Sequence, residues 1–333
     1  MLKISQSRRG SIFIYLGKNS HLFNKLQTNR GQPFISFHDY RLPVKLEVFE
    51  RYREMLVHRY ITKWDYVAVF LPLTVIILAE ALFFLAVESN NGGLYNSVVI
   101  LHATNIMLCF LIPIISRVND RIYFSYALIS VLRICGIGMP SLFGETMVWI
   151  FLAYIPLAAV LWFGIMNRKL SPKLASGKSL SQGFIEIHRD ILKGVPALLP
   201  IIFIAALFGS MIGIAMSVLF SMPALIADIS PARLLSAFLI LVILVATVEE
   251  ILFRGMLQSN ITDRFGAAVA IILSSILFGF MHSGMGSPGL IVFMSVVGII
   301  IGAVYYLFGK LSLVVVIHGT ALFMAFAICP FFL

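Results

Sequence analysis

A chain of 333 residues that is 60% hydrophobic and 12% charged, with a mean hydropathy of +0.97, lacks the polar surface a soluble domain needs. The net charge of +10 does not mark a nucleic-acid binder, since twelve of the 25 Lys and Arg residues precede residue 64. Most of the others gather in short segments between apolar runs, the pattern of cytoplasmic loops facing an anionic lipid leaflet.

Residues 1–65 form a basic N-terminal arm without the apolar core of a cleavable signal peptide. Residues 1–43 read as irregular. Over 44–61, Val48, Phe49, Tyr52, Met55, Leu56 and Tyr60 recur at helical spacing among Lys45, Arg51, Arg53 and Arg59, which predicts an amphipathic helix on the cytoplasmic membrane surface. Apolar segments near 66–87, 97–116, 123–139 and 147–166 then predict four membrane spans, the N-terminal part over 66–166. A polar loop at 167–195 follows. Five more segments, near 197–220, 233–253, 266–282, 288–308 and 311–330, complete a second part over 196–333. Several fall short of twenty residues, so the fold class is an all-α, polytopic transmembrane helix bundle of eight or nine spans.

Charge sets the orientation. With the N-terminus inside, the inner loops hold Arg117 and Arg121, then Arg168, Lys169, Lys173, Lys178, Arg189 and Lys193, then Arg264 and Lys310. The outer loops near 88–96, 140–146, 221–232 and 283–287 hold no Lys or Arg. A multi-pass protein of the inner or plasma membrane with a cytoplasmic N-terminus follows. Cys109, Cys135 and Cys329 lie in apolar segments at unrelated spacings and read as small buried residues. No internal repeat is visible, which argues against a transporter of two related halves.

An ionisable side chain within a span costs about 2.5–3.5 kcal/mol on insertion scales, so each one needs a reason. The densest group is Thr247-Val-Glu-Glu-Ile-Leu-Phe-Arg-Gly255. Glu250 and Arg254 are four apart and share a helix face, where they form an ion pair. Glu249 points about 100° away and is free to face a cavity. One carboxylate is neutralised; desolvation tunes the other toward general-base work. A double-Glu helix end whose charges snorkel to the interface is the bland alternative. The seventh segment ends in Phe278-Gly-Phe-Met-His282, and the ninth contains His318-Gly-Thr-Ala-Leu322. Two imidazoles in the same bundle could orient a water, donate to an oxyanion or bind a metal.

These motifs, in this order and on these segments, resemble the CAAX protease and bacteriocin-processing family of intramembrane proteases over about residues 195–330. The resemblance implies an intramembrane endopeptidase in which Glu249 activates water with His282 assisting. It implies that His318 stabilises the oxyanion, while Glu250 and Arg254 hold the site in register. The implied substrate is a membrane-associated protein or peptide. No cofactor is expected: two histidines and a glutamate suit zinc, but the compact His-Glu-x-x-His spacing of a zinc site is missing. One position departs from the family pattern. The family places an asparagine four residues after the last histidine; here it is Leu322, which cannot donate, and Thr320 points about 200° around the helix. Losing one oxyanion donor lowers a rate by about 10²–10³-fold.

Depth raises a tension. Counted from a turn near 260–265, Glu249 lies roughly 16–20 Å along one helix and His282 roughly 26–30 Å along the next. The isolated Glu80, His102 and Arg133 read as residues that pair within the N-terminal helices or snorkel. Gly298 and Gly302 read as a close-packing face. The Gly284-Met-Gly-Ser-Pro-Gly289 turn lacks phosphate-loop spacing. Two other functions stand beside the protease. One is a catalytically weak scaffold or bacteriocin-immunity protein, motivated by Leu322. The other is a proton-coupled transporter using the buried Glu and His residues. Substrate access is expected from the cytoplasmic side or laterally from the bilayer.

Overall fold

Long apolar runs can satisfy their backbone in lipid only as helices or closed barrels, and this chain builds helices. The computed structural model describes the backbone of residues 2–6, 12–16, 63–116, 121–143, 147–166 and 180–333. It describes side chains over 66–115, 121–138, 147–162 and 199–333. Met1–His58 and Arg59–Leu333 are separate compact units. In the first, Leu2–Gln6 and Ile12–Leu16 pair as an antiparallel hairpin with Ile4 opposite Ile14. This departs from the irregular arm expected there, and the run Ile12-Phe-Ile-Tyr-Leu16, rich in β-branched and aromatic residues, is the reason. The amphipathic helix expected over 44–61 lies outside the described residues.

The second unit is helical. Its elements are α1 (Lys63–Ser89), α2 (Gly92–Ser116), α3 (Arg121–Phe143), α4 (Met147–Met166) and α5 (Leu180–Phe220). They are followed by α6 (Pro231–Phe265), α7 (Ala267–Phe280), α8 (Pro288–Phe308) and α9 (Leu311–Phe331). Among the described residues, eight helices are long and apolar enough to cross a membrane, and the apolar Met147–Trp162 stretch of α4 is a shorter ninth. Ile115, Phe203 and Leu307 are each about 70% exposed, so this unit is apolar outside as well as in. Such an exterior belongs in lipid. The protein is a multi-pass membrane protein.

Local chemistry sets the boundaries. Pro231 opens α6 at its first turn, where a missing N–H is harmless, and the exposed Asp228 before it pairs with Arg233 at 3.0 Å. The Ser287 hydroxyl accepts from the Leu290 N–H and Pro288 follows it, starting α8; Gly309, at φ 62°, ends it. Gly266, at φ 82°, separates α6 from α7.

Two helices outrun the sequence expectation. The loop expected at 167–195 is helical from Leu180, where Leu180, Phe184, Ile187 and Ile191 keep a helical period. Beyond residue 253, α6 continues to Phe265. Its polar residues find partners in place of water: Gln258 donates to the Gly302 carbonyl at 2.9 Å and Asn260 to Ser125 at 3.3 Å. Two π-helical stretches, Phe238–Val245 and Ile251–Gln258, flank an α-helical turn at Ala246–Glu250.

Helices α5 and α9 lie backbone to backbone. A Cβ at Gly209 would fall on the Ile317 carbonyl and the Thr320 hydroxyl, and one at Gly213 on the Ala321 carbonyl. Gly209→Ala is therefore expected to cost about 1–3 kcal/mol by overpacking. Gly92→Ala, which would meet no atom within 4 Å, serves as the control. Thermal unfolding of both variants in detergent checks the difference.

Candidate active site

Glu250 has no exposed surface, and a carboxylate so placed must be paired. His318 Nδ1 donates to its Oε1 at 2.8 Å, and Arg254 Nε lies 3.3 Å from its Oε2, the ion pair expected from the spacing of four. Arg254 is itself fully buried, donates to the Gly298 carbonyl at 3.2 Å, and stands 4.6 Å from the Phe278 ring centroid. Gly298 makes this reach available, because a Cβ there would press on Ser275 at 3.0 Å. The close-packing face of α8 is thus also where Arg254 and Gln258 find backbone acceptors.

Phe278 is the hub. Its ring lies edge-on to His282 at 5.4 Å and to His318 at 5.3 Å, and Phe253 closes it from α6 at 5.2 Å. The first residue of the Phe-x-x-x-His motif therefore sets the walls against which both imidazoles stand. His282 Nδ1 donates to the Phe278 carbonyl at 3.1 Å, leaving Nε2 for a ligand.

Glu249 is the exposed partner of the pair, with 15% of its side chain accessible. The Tyr154 hydroxyl, on α4, donates to its Oε1. Its Oε2 lies 3.8 Å from His318 Nε2, a nitrogen that makes no hydrogen bond among the described residues. His318 thus faces both glutamates, one through each ring nitrogen. Glu249 and His282 line one cavity of about 410 Å³, with Tyr154 and Arg133 on its other walls. Most of the remaining wall is apolar, including Trp149, Leu241, Met281 and Phe326. Leu322 also lines it, so this side chain faces the site as its helical position predicts.

The structure removes the depth tension. The turn falls at Gly266 and not within 260–265, so Glu249 is 17 positions before it and His282 16 after it. At 1.5 Å per residue both sit roughly 25 Å from the turn. The cavity is also lined by Pro223 and Leu225 from one connection and by Gly284 and Met285 from another. These belong to the outer loops of the charge-based orientation. Glu249 lies mid-helix, and its sequence position favours neither end.

Two residues of the site were not singled out as functional from the sequence. Tyr154 sits in an apolar segment where a tyrosine passes for an interfacial aromatic. Arg133 looked isolated. No local signal marks the first; for the second the signal was there, an arginine within a span. Among the described residues, no group of three or more His, Cys, Asp or Glu side chains is placed to hold a metal ion.

Residues 231–324 match the family model described as type II CAAX prenyl endopeptidase Rce1-like. The match runs from the first residue of α6 to Met324 in α9 and contains Glu249, Glu250, Arg254, Phe278, His282, His318 and Leu322. Over this segment the chain is similar to the CAAX protease family, the one its motifs resemble. Neither the curated proteins nor the solved structures include a match.

Arg254→Leu is expected to lower stability by about 3–5 kcal/mol, because it strands a buried carboxylate. The double variant Glu250→Gln/Arg254→Leu, which removes both charges, should recover part of that loss. Unfolding curves of the two proteins in one detergent check the order.

Proposed function

We propose that the Rce1-like domain makes this protein a glutamate-type intramembrane endopeptidase. The observation that carries the reading is Glu249 on the wall of an otherwise apolar cavity, fixed by Tyr154, 3.8 Å from one imidazole and sharing the cavity with another. A water between Glu249 and His282 would give a proton to the Glu249 carboxylate as its oxygen attacks the substrate carbonyl carbon. The C=O pair becomes an oxyanion, which His318 faces through Nε2. Donation there requires the doubly protonated ring, and the two flanking glutamates balance its charge. Collapse of the intermediate breaks the C–N bond, and the proton on Glu249 passes to the leaving nitrogen. Glu250 and Arg254 touch no reacting atom; they hold His318 and the Phe278 ring in place.

The apolar wall supports a lipid-associated polypeptide as substrate. The lysine-free outer loops support a cytoplasmic N-terminus, with entry from the opposite face or laterally between helices. One observation favours a second reading, a catalytically weak scaffold: Leu322 presents methyl groups where an amide would complete an oxyanion site.

The test uses the full chain in proteoliposomes with two internally quenched peptides, one a farnesylated CAAX peptide and one a transmembrane peptide. Products are identified by mass spectrometry. Wild type should cut at least one, and Glu249→Gln should lower kcat by about 10²–10⁴-fold with an unchanged unfolding temperature. The zinc chelator 1,10-phenanthroline should leave the rate unaltered. A wild type that cuts neither peptide, together with membrane peptidomes that do not differ between wild type and Glu249→Ala cells, overturns the protease reading and leaves the scaffold.

A further inference from the structure

Three polar side chains of the N-terminal helices, outside the matched segment, meet a fourth from within it. Glu80 on α1, His102 on α2 and Ser283 in the turn after α7 have no exposed surface. Arg133 on α3 grips Glu80 with two nitrogens, Nε to Oε1 at 2.5 Å and Nη2 to Oε2 at 2.6 Å. His102 Nε2 lies 3.3 Å from the same carboxylate, and the Ser283 hydroxyl donates to it at 2.6 Å. Arg133 Nη2 also reaches the Ser283 hydroxyl at 3.4 Å. As an ion pair stapling α1 to α3, this arrangement explains Glu80. It does not explain two features of Arg133. The side chain is 12% exposed and lines the cavity that holds Glu249, and among the described residues its hydrogen bonds run through Nε and Nη2, leaving Nη1 without one. The guanidinium carbon also stands 5.1 Å from the Phe83 ring, itself part of the cavity wall.

We propose that Arg133 is the second oxyanion donor of this site, supplying through Nη1 the hydrogen bond that Leu322 cannot. The inference rests on the protease reading. Three arguments carry it. The guanidinium is held from behind by Glu80 and Ser283, so its free edge is fixed before substrate arrives, as a preorganised donor must be. Ser283 follows His282 directly in the chain, so one network positions the donor and the imidazole that shares the water. Finally, Glu80 already neutralises Arg133. A substrate carboxylate docked there would add a negative charge beside Glu249 without a free cation to meet it. A peptide carbonyl enters uncharged and gains charge only as water adds, so the interaction strengthens in the transition state and not before it.

The test uses proteoliposomes of the full chain and whichever of the two quenched peptides wild type cuts. Glu80→Gln/Arg133→Met removes both buried charges together. Arg133→Lys keeps a cation within reach of Glu80 but leaves no second nitrogen for the cavity, and it serves if the double variant does not fold. Each is expected to lower kcat by about 10²–10³-fold at nearly constant KM. Adding Leu322→Asn to either should recover at least tenfold. Unchanged kcat in the variants overturns the proposal while leaving the protease reading intact. So does a loss that Leu322→Asn fails to recover, which makes Arg133 a structural staple. A rise in KM at constant kcat makes it a ground-state anchor and equally overturns it. If wild type cuts neither peptide and the membrane peptidomes of wild type and Glu249→Ala cells do not differ, the protease reading fails and this inference falls with it.

Discussion

The site is organised around one expensive object, the carboxylate of Glu250 sealed from solvent in the middle of α6. A buried carboxylate is tolerated only with charged and hydrogen-bonding partners in place. Its two partners come from different directions: Arg254 from its own helix and His318 from α9. Arg254 cannot be left unpaired either, so it takes the Gly298 carbonyl of α8 and the face of Phe278 on α7. Four helices are thereby tied to one charge. Such a pair is a poor source of net stability, but it fixes the register of α6 against α7, α8 and α9, and register is what a catalytic geometry needs.

The consequence for Glu249 is indirect and larger. Neighbouring glutamates on an ideal helix diverge by about 100°, yet both face His318. Two π-helical stretches set the phase of the α-helical turn between them as a whole, and the imidazole spans the divergence within that turn, meeting Glu250 through Nδ1 and Glu249 through Nε2. Two adjacent residues of α6 are in this way presented to one imidazole, with Glu250 turned into the core and Glu249 toward the cavity. Nothing in the run Phe238-Leu-Ile-Leu-Val-Ile-Leu-Val245 announces this, because apolar residues without Gly or Pro read as plain α-helix.

The sequence made legible whatever depends on residues close together in the chain. The span at 288–308, bounded by Ser287-Pro288 and Gly309, coincides with α8. The Glu250–Arg254 pair follows from a spacing of four. What it concealed depends on contacts between distant residues. That Glu80, His102 and Arg133 pair within the N-terminal helices was legible, but which meets which, across 53 positions for Glu80 and Arg133, has no periodic signature. The polar cluster at Gln258, Ser259 and Asn260 resembles a loop because water is the usual partner of such groups. Here α8 and α3 take that place, and the misread turn shifted the apparent depth of Glu249 with it.

The cavity divides its origin in a way that bears on specificity. The matched segment supplies Glu249, His282 and Leu322, the chemical wall. Phe83, Arg133, Trp149, Ile150 and Tyr154, from α1, α3 and α4, supply the wall opposite, and all of them lie outside the match. Within the matched segment, residue choice is constrained by the burial of Glu250 and the ring of Phe278. Among the described residues the opposite wall meets Glu249 through the Tyr154 hydroxyl, so Trp149 and Ile150 can change size without disturbing a charge. The charged side of the cavity and the wall laid against it are therefore built from different parts of the chain. In this chain that wall is largely aromatic and carries a cation already engaged by Glu80.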